Sequence, residues 1–176
     1  MIDFSQDYFA LFGLPRRYRF DGPQLDAAYR ALQRGVHPDR YAAAGETERR
    51  LALQSSARVN EAYRALKDPV SRAQYLLSLQ GIDALAETDT ALRPEFLQQQ
   101  LARREEIAEA QVECDTAKLG SLLDAARQDI AALDVELAER LDTDNDLAAA
   151  RDKVRELRFV TKVATDIEAA LGEIEA

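Results

Sequence analysis

Apolar residues recur three or four positions apart in segment after segment of this chain, and nowhere do they alternate with polar ones for long enough to build a strand. Tyr8 to Leu14 is a short apolar run closed by Gly13 and Pro15, enough for one or two helical turns. Asp21 then offers an N-cap and Pro23 stands early in the next segment, where Leu25, Ala28, Tyr29, Leu32 and Val36 mark an amphipathic helix from about 22 to 36. A step of about 100° per residue puts Arg30 and Arg34 opposite that stripe, facing solvent or a partner. Pro38 disfavours helical geometry in His37, so the helix stops there.

A second long helix is predicted from about Glu46 to Lys67, with Ala52, Ser55, Val59, Ala62, Tyr63 and Leu66 facing inward and Asp68-Pro69 ending it. A short helix follows and runs towards Gly81, a candidate left-handed cap. Residues 81–93 mix Gly, Thr and Asp without a sustained period and read as a linker between a first domain, residues 1–80, and a second, residues 94–176. The second domain reads as three helices, about 94–113, 116–141 and 145–173, joined by short connections. Leu119, Leu122, Ala126, Ile130, Leu133, Leu137 and Leu141 form a nearly heptad stripe on the middle one. Leu157, Val160, Ala164, Ile167 and Leu171 form the inward stripe of the last, and Phe159 falls roughly 110° from its centre. The expected fold is all-α, a small helical domain followed by an antiparallel three-helix bundle.

Composition agrees with helices: 7 Gly, 5 Pro and no Trp among 176 residues, with 47% hydrophobic and 31% charged positions. The net charge of −9 is split unevenly. Residues 1–80 carry 12 Lys and Arg against 9 Asp and Glu, whereas residues 81–176 carry 11 against 23. A first half so weakly basic beside a strongly acidic second half argues against nucleic-acid binding. No apolar run approaches the length of a membrane span and no basic leader precedes the first apolar residues, so a soluble cytoplasmic protein is expected.

The chemistry open to the chain is narrow. Cys114 is its one cysteine and His37 its one histidine. A single thiolate cannot hold an iron-sulfur cluster, so Cys114 is expected to be a small apolar filler, and no bound cofactor and no metal site are predicted. His37 as a general base would need a pocket and an orienting partner; Asp39 could orient it, but no nucleophile motif or phosphate loop joins them. The plain alternative is that Pro38 and Asp39 shape a turn.

The flanking pattern carries more. The arginine-bearing helix, His37-Pro38-Asp39, and the later segment "VNEAYRALKDPVSRAQY" at 59–75, with "DYFALFGLP" before them, together resemble a J-domain over about residues 6–80. Asn60, Ala62, Tyr63, Leu66, Asp68-Pro69, Arg72 and Tyr75 stand in the relative places of that family. The resemblance implies docking on an ATP-bound chaperone of the 70-kDa heat-shock class and stimulation of its ATPase. His37, Pro38 and Asp39 would trigger hydrolysis, and Arg30, Arg34 and Arg40 would face an acidic surface of that chaperone. An ordinary solvated helix face remains the alternative for Arg30 and Arg34.

The second half lacks the Gly/Phe-rich linker and cysteine repeats of general DnaJ proteins. "YLLSLQG" at 75–81, "FLQQQLARREEIAEA" at 96–110 and "RELRFVTKV" at 155–163 are similar to the HscB family of iron-sulfur co-chaperones, in its bacterial form. The implied partners are an IscU-type iron-sulfur scaffold, bound by the bundle, and an HscA-type chaperone, with no nucleic acid and no membrane. The implied scaffold-binding residues are Leu97, Leu101, Glu105, Glu109 and Phe159. Gln98 and Ala102 depart from the Met and Glu that members of the family often carry. Two other readings stay open: a J-protein with a different client, and an all-α enzyme using His37 as base. Leu97 and Leu101 as wide-stripe core residues is the structural alternative.

Overall fold

A computed structural model describes residues 2–41, 44–86 and 92–175. It divides into two compact units, Met1–Leu79 and Gln80–Ala176. Every regular element among the described residues is helical.

The first unit holds α1 (Tyr8–Leu11), α2 (Gly22–Val36), a 3₁₀ turn (Pro38–Tyr41), α3 (Glu46–Lys67) and α4 (Pro69–Ser78). Asp21 occupies the N-cap position of α2 but its side chain makes no capping bond; Pro23 and the amphipathic stripe start that helix without it. Leu25 and Val36 of α2 are buried against Val59, Ala62 and Leu66 of α3, with Tyr8, Phe9, Phe12 and Leu14 closing the core. Those apolar contacts stabilise the α2/α3 hairpin, and polar bonds fix its register. Tyr29 stacks on Tyr63 with ring centroids 4.0 Å apart, and Tyr29 Oη donates to Asn60 Oδ1 at 2.9 Å. Tyr63 Oη donates to Asp26 at 2.9 Å, and Lys67 pairs with the same carboxylate at 2.7 Å. Asp68 caps α4 by accepting from the Ser71 backbone N–H at 2.7 Å, which turns the chain between α3 and α4.

The second unit holds α5 (Pro94–Val112), α6 (Thr116–Glu139), a π-helical turn (Arg140–Asp144) and α7 (Leu147–Glu175). The three helices pack on one another, α6 and α7 most extensively. Leu119, Leu122, Ala126, Leu133 and Leu137 face Leu157, Val160, Ala164 and Ile167, all buried. Ile130, Leu141 and Leu171 are only half-buried, because a heptad stripe drifts around a straight helix and the π turn re-aims Leu141. Within residues 81–93, Ala84 is fully buried and its carbonyl accepts from Arg155 Nε at 2.8 Å, while 87–91 lie outside the described residues.

Cys114 does not fill a core gap. It is exposed, with φ +53, at the residue after α5. Its N–H donates to the Gln111 carbonyl at 3.2 Å and the Asp115 N–H to the Ala110 carbonyl at 2.9 Å, the paired bonds of a Schellman ending. That ending demands a left-handed residue and points its side chain to solvent. Among the described residues no helix is long and apolar enough to cross a membrane.

Candidate functional site

His37 ends α2 in an extended conformation, φ −60 and ψ 127, as a residue before proline should. The 3₁₀ turn that follows would leave the last carbonyls of α2 open to water. Two side chains close them: Arg40 Nη1 donates to the Arg34 carbonyl at 2.9 Å, and Tyr41 Oη to the Gly35 carbonyl at 3.2 Å. Buried Val36 fastens the same turn to the core.

His37 and Asp39 therefore project from a braced loop. Their side chains are 55% and 89% exposed, so neither sits in a substrate pocket of this chain. His37 Nδ1 lies 3.5 Å from Asp39 Oδ2 and accepts the Asp39 backbone N–H at 3.4 Å, a local turn bond. Pro38 opens the 3₁₀ turn, and its side chain lies outside the described residues. Arg30 and Arg34 are exposed on α2. Arg40 is exposed too, but one arm of its guanidinium is committed to the helix end. Among the described residues, no group of three or more His, Cys, Asp or Glu side chains is placed to hold a metal ion.

Several residues that carried the J-domain resemblance have structural work instead. Arg72 donates to the Tyr18 carbonyl at 3.0 Å and lies 4.9 Å from the ring centres of Tyr18 and Phe20. Tyr75 stacks on Tyr8 at 4.2 Å and its hydroxyl accepts the Tyr8 N–H. Burial against this neighbour and Arg58 pushes the Tyr8 hydroxyl up to about 12, with the Glu61 carboxylate adding to the shift and the Arg58 charge opposing it. Asn60 also takes a bond from Gln33, which ties α3 back to the turn-bearing end of α2.

In the second unit α5 turns Phe96, Gln100, Ile107 and Ala110 inward. With Phe96 at 0°, Leu97 lies near 100°, Leu101 near 140°, Glu105 near 180° and Glu109 near 220°. All four are exposed, the two leucines by 40% and 60%. They are not wide-stripe core residues. Phe159 of α7 is half-buried, its ring edge-to-face with Phe96 at 5.8 Å and covered by Arg104 at 5.1 Å. Gln98 and Ala102 are exposed on the far side of the acidic row.

Sequence reasoning missed the charged cluster that holds α5 against α7. Glu156 is fully buried, its carboxylate 2.6 Å from Arg93 Nε and 3.1 Å from Lys153 Nζ, which also reaches Glu136 of α6 at 2.6 Å. A buried carboxylate needs such partners. Its only signal was a charged residue within the apolar rows of α7.

Comparison with known proteins follows the same division. Residues 7–75 match the family model of the DnaJ domain, and residues 92–168 that of the HSCB C-terminal oligomerisation domain. A co-chaperone protein HscB homolog of Burkholderia thailandensis is 45% identical over 175 residues, 99% of each chain. One from Azoarcus is 45% identical over 174 residues, 99% of this chain and 98% of that one. Among solved structures, chaperone HscB from Vibrio cholerae aligns with TM-score 0.85 at 36% identity, over 96% of this chain and 99% of that one. Human co-chaperone protein HscB aligns with TM-score 0.89 at 28% identity, over 96% and 83% respectively.

Proposed function

The chain belongs to the HscB co-chaperone family, and from that premise we propose that it couples an iron-sulfur scaffold of the IscU type to the ATPase of an HscA-type chaperone. The observation that carries the reading is the exposed loop at His37 and Asp39, held at a helix end by Arg40 and Tyr41 and facing no pocket of its own. A rigid exposed loop acts by contact: it biases a conformational equilibrium in a partner through differential binding, and the hydrolysis chemistry belongs to that partner. Residues 1–80 serve as the J-domain in this account, with Arg30 and Arg34 steering approach to an acidic surface.

Residues 94–176 hold the scaffold. Exposed Leu97 and Leu101 offer apolar area beside Glu105 and Glu109, and Phe159 forms the margin towards α7. A scaffold surface that is apolar with a basic edge fits that arrangement. The iron-sulfur cluster is cargo carried by the scaffold. A reducing cytoplasm suits a chain whose single thiol is exposed and free.

The test is the steady-state ATPase rate of the HscA-type chaperone with this protein alone, the scaffold alone, and both. The account expects more than the sum of the separate effects. A merely additive rate would contradict coupling and favour a J-protein serving a different client.

A further inference from the structure

The apolar row on α5 does not stop at Leu101. In the frame with Phe96 at 0°, Ala108 lies near 120° and Val112 near 160°, in line with Leu97 and Leu101. Val112 is 86% exposed, more than any other large hydrophobic residue described as exposed. From Leu97 to Val112 the row runs about 22 Å along the helix.

Charge separates this face from its neighbours. Glu106, on the side of α5 that meets α6, is neutralised by Lys118 at 2.8 Å, and Arg103 by Asp129 at 2.7 Å. Glu105, Glu109 and Glu113, at about 180°, 220° and 260°, are exposed and have no ion-pair partner among the described residues. An uncompensated acidic ridge therefore runs beside the apolar row for its whole length. A partner that covers the row can supply cations to that ridge, and one that covers only Leu97 and Leu101 leaves Glu109 and Glu113 unmatched.

We infer that the scaffold-binding face extends to the C-terminal end of α5, with Val112 as an apolar contact and Glu113 as its acidic flank. The occupant is the same scaffold protein, presenting an apolar strip with a basic border. This rests on the proposed scaffold site at Leu97 and Leu101 and lengthens it.

The experiment is calorimetric titration of the intact chain with purified IscU-type scaffold, comparing wild type, Val112→Ser, Leu101→Ala and, as a control on α6, Val135→Ser, itself 60% exposed. Circular dichroism checks that each variant keeps its helix content. Val112→Ser is expected to weaken binding about fivefold, the loss of a partly buried valine side chain, with Val135→Ser unchanged. Weakened binding by Leu101→Ala with normal binding by Val112→Ser overturns the extension and leaves the scaffold site standing. Normal binding by both overturns the site and the extension together.

Discussion

The ring of Phe159 meets the ring of Phe96 edge to face, with centroids 5.8 Å apart. Phe159 lies off the inward stripe of α7, and this contact explains why an aromatic residue can occupy that position: one edge is packed on α5 while Arg104 covers a face. Truncating it should have two effects. Phe159→Ala should destabilise the second unit by about 1–3 kcal/mol and weaken scaffold binding. Leu97→Ala, at an exposed position, should leave stability within about 0.5 kcal/mol and still weaken scaffold binding at least about fivefold. Calorimetry beside urea denaturation separates the two. Unchanged affinity in both variants would remove them from the scaffold site.

Arg40 was expected to act through its charge, and the structure gives it a second task at the Arg34 carbonyl. Arg40→Ala should cost about 0.5–1.5 kcal/mol and lower chaperone stimulation by loosening the loop. Arg40→Lys keeps the charge but loses the guanidinium fork. Its stimulation should fall closer to that of Arg40→Ala than to wild type. Full activity in Arg40→Lys would show that charge alone suffices. Arg30→Ala and Arg34→Ala should instead lower the association rate, an effect that fades at high salt.

Asp26 links α2 to α3, and the bonds from Lys67 and then Tyr63 hold its carboxyl below the usual carboxylate range. A folded-state pKa below the unfolded value contributes stability that is present above the ordinary carboxylate pKa and is lost as pH falls through the folded one. The same pair raises Lys67, whose contribution is present below its ordinary pKa and lost as pH rises through the raised one. Asp26→Asn should therefore melt below wild type at pH 7, and the difference should vanish at about pH 2. A difference that persists in acid would assign the effect to packing.

Cys114 and Gly13 end their helices in the same way. Gly13, φ +65, donates to Ala10 while Leu14 donates to Phe9, the bonds that Cys114 and Asp115 make after α5. Only glycine adopts that conformation without steric cost. Cys114→Gly should raise stability by about 0.5–1 kcal/mol, read as a higher urea midpoint, since the exposed thiol contributes no packing. A lower midpoint would mean that the thiol makes a stabilising contact.

The helices were legible where punctuation and periodicity agreed. Pro38 and Asp68-Pro69 mark the ends of α2 and α3, and the stripe through Val59, Ala62 and Leu66 is buried as expected. His37, Asp39, Leu97 and Leu101 are all exposed, as docking residues must be. Pairings across helices were not legible. Asn60 bonding Tyr29, Arg155 reaching the carbonyl of Ala84, and Glu156 between Arg93 and Lys153 depend on helix rotation and on partners up to 71 residues away. Periodicity fixes which face is apolar, not which polar groups meet. Cys114 was misread for a related reason: a small thiol suggests a core filler, and only the backbone path after Val112 reveals a left-handed ending.

The central claim is that this chain acts on another protein's ATPase through an exposed loop. Single-turnover ATP hydrolysis by the HscA-type chaperone, with wild type and with His37→Gln, tests it most directly. Stimulation should be lost in His37→Gln while its melting temperature and scaffold affinity stay at wild-type values, because the side chain is exposed and packs on no core element. Undiminished stimulation by a folded His37→Gln protein would contradict the account.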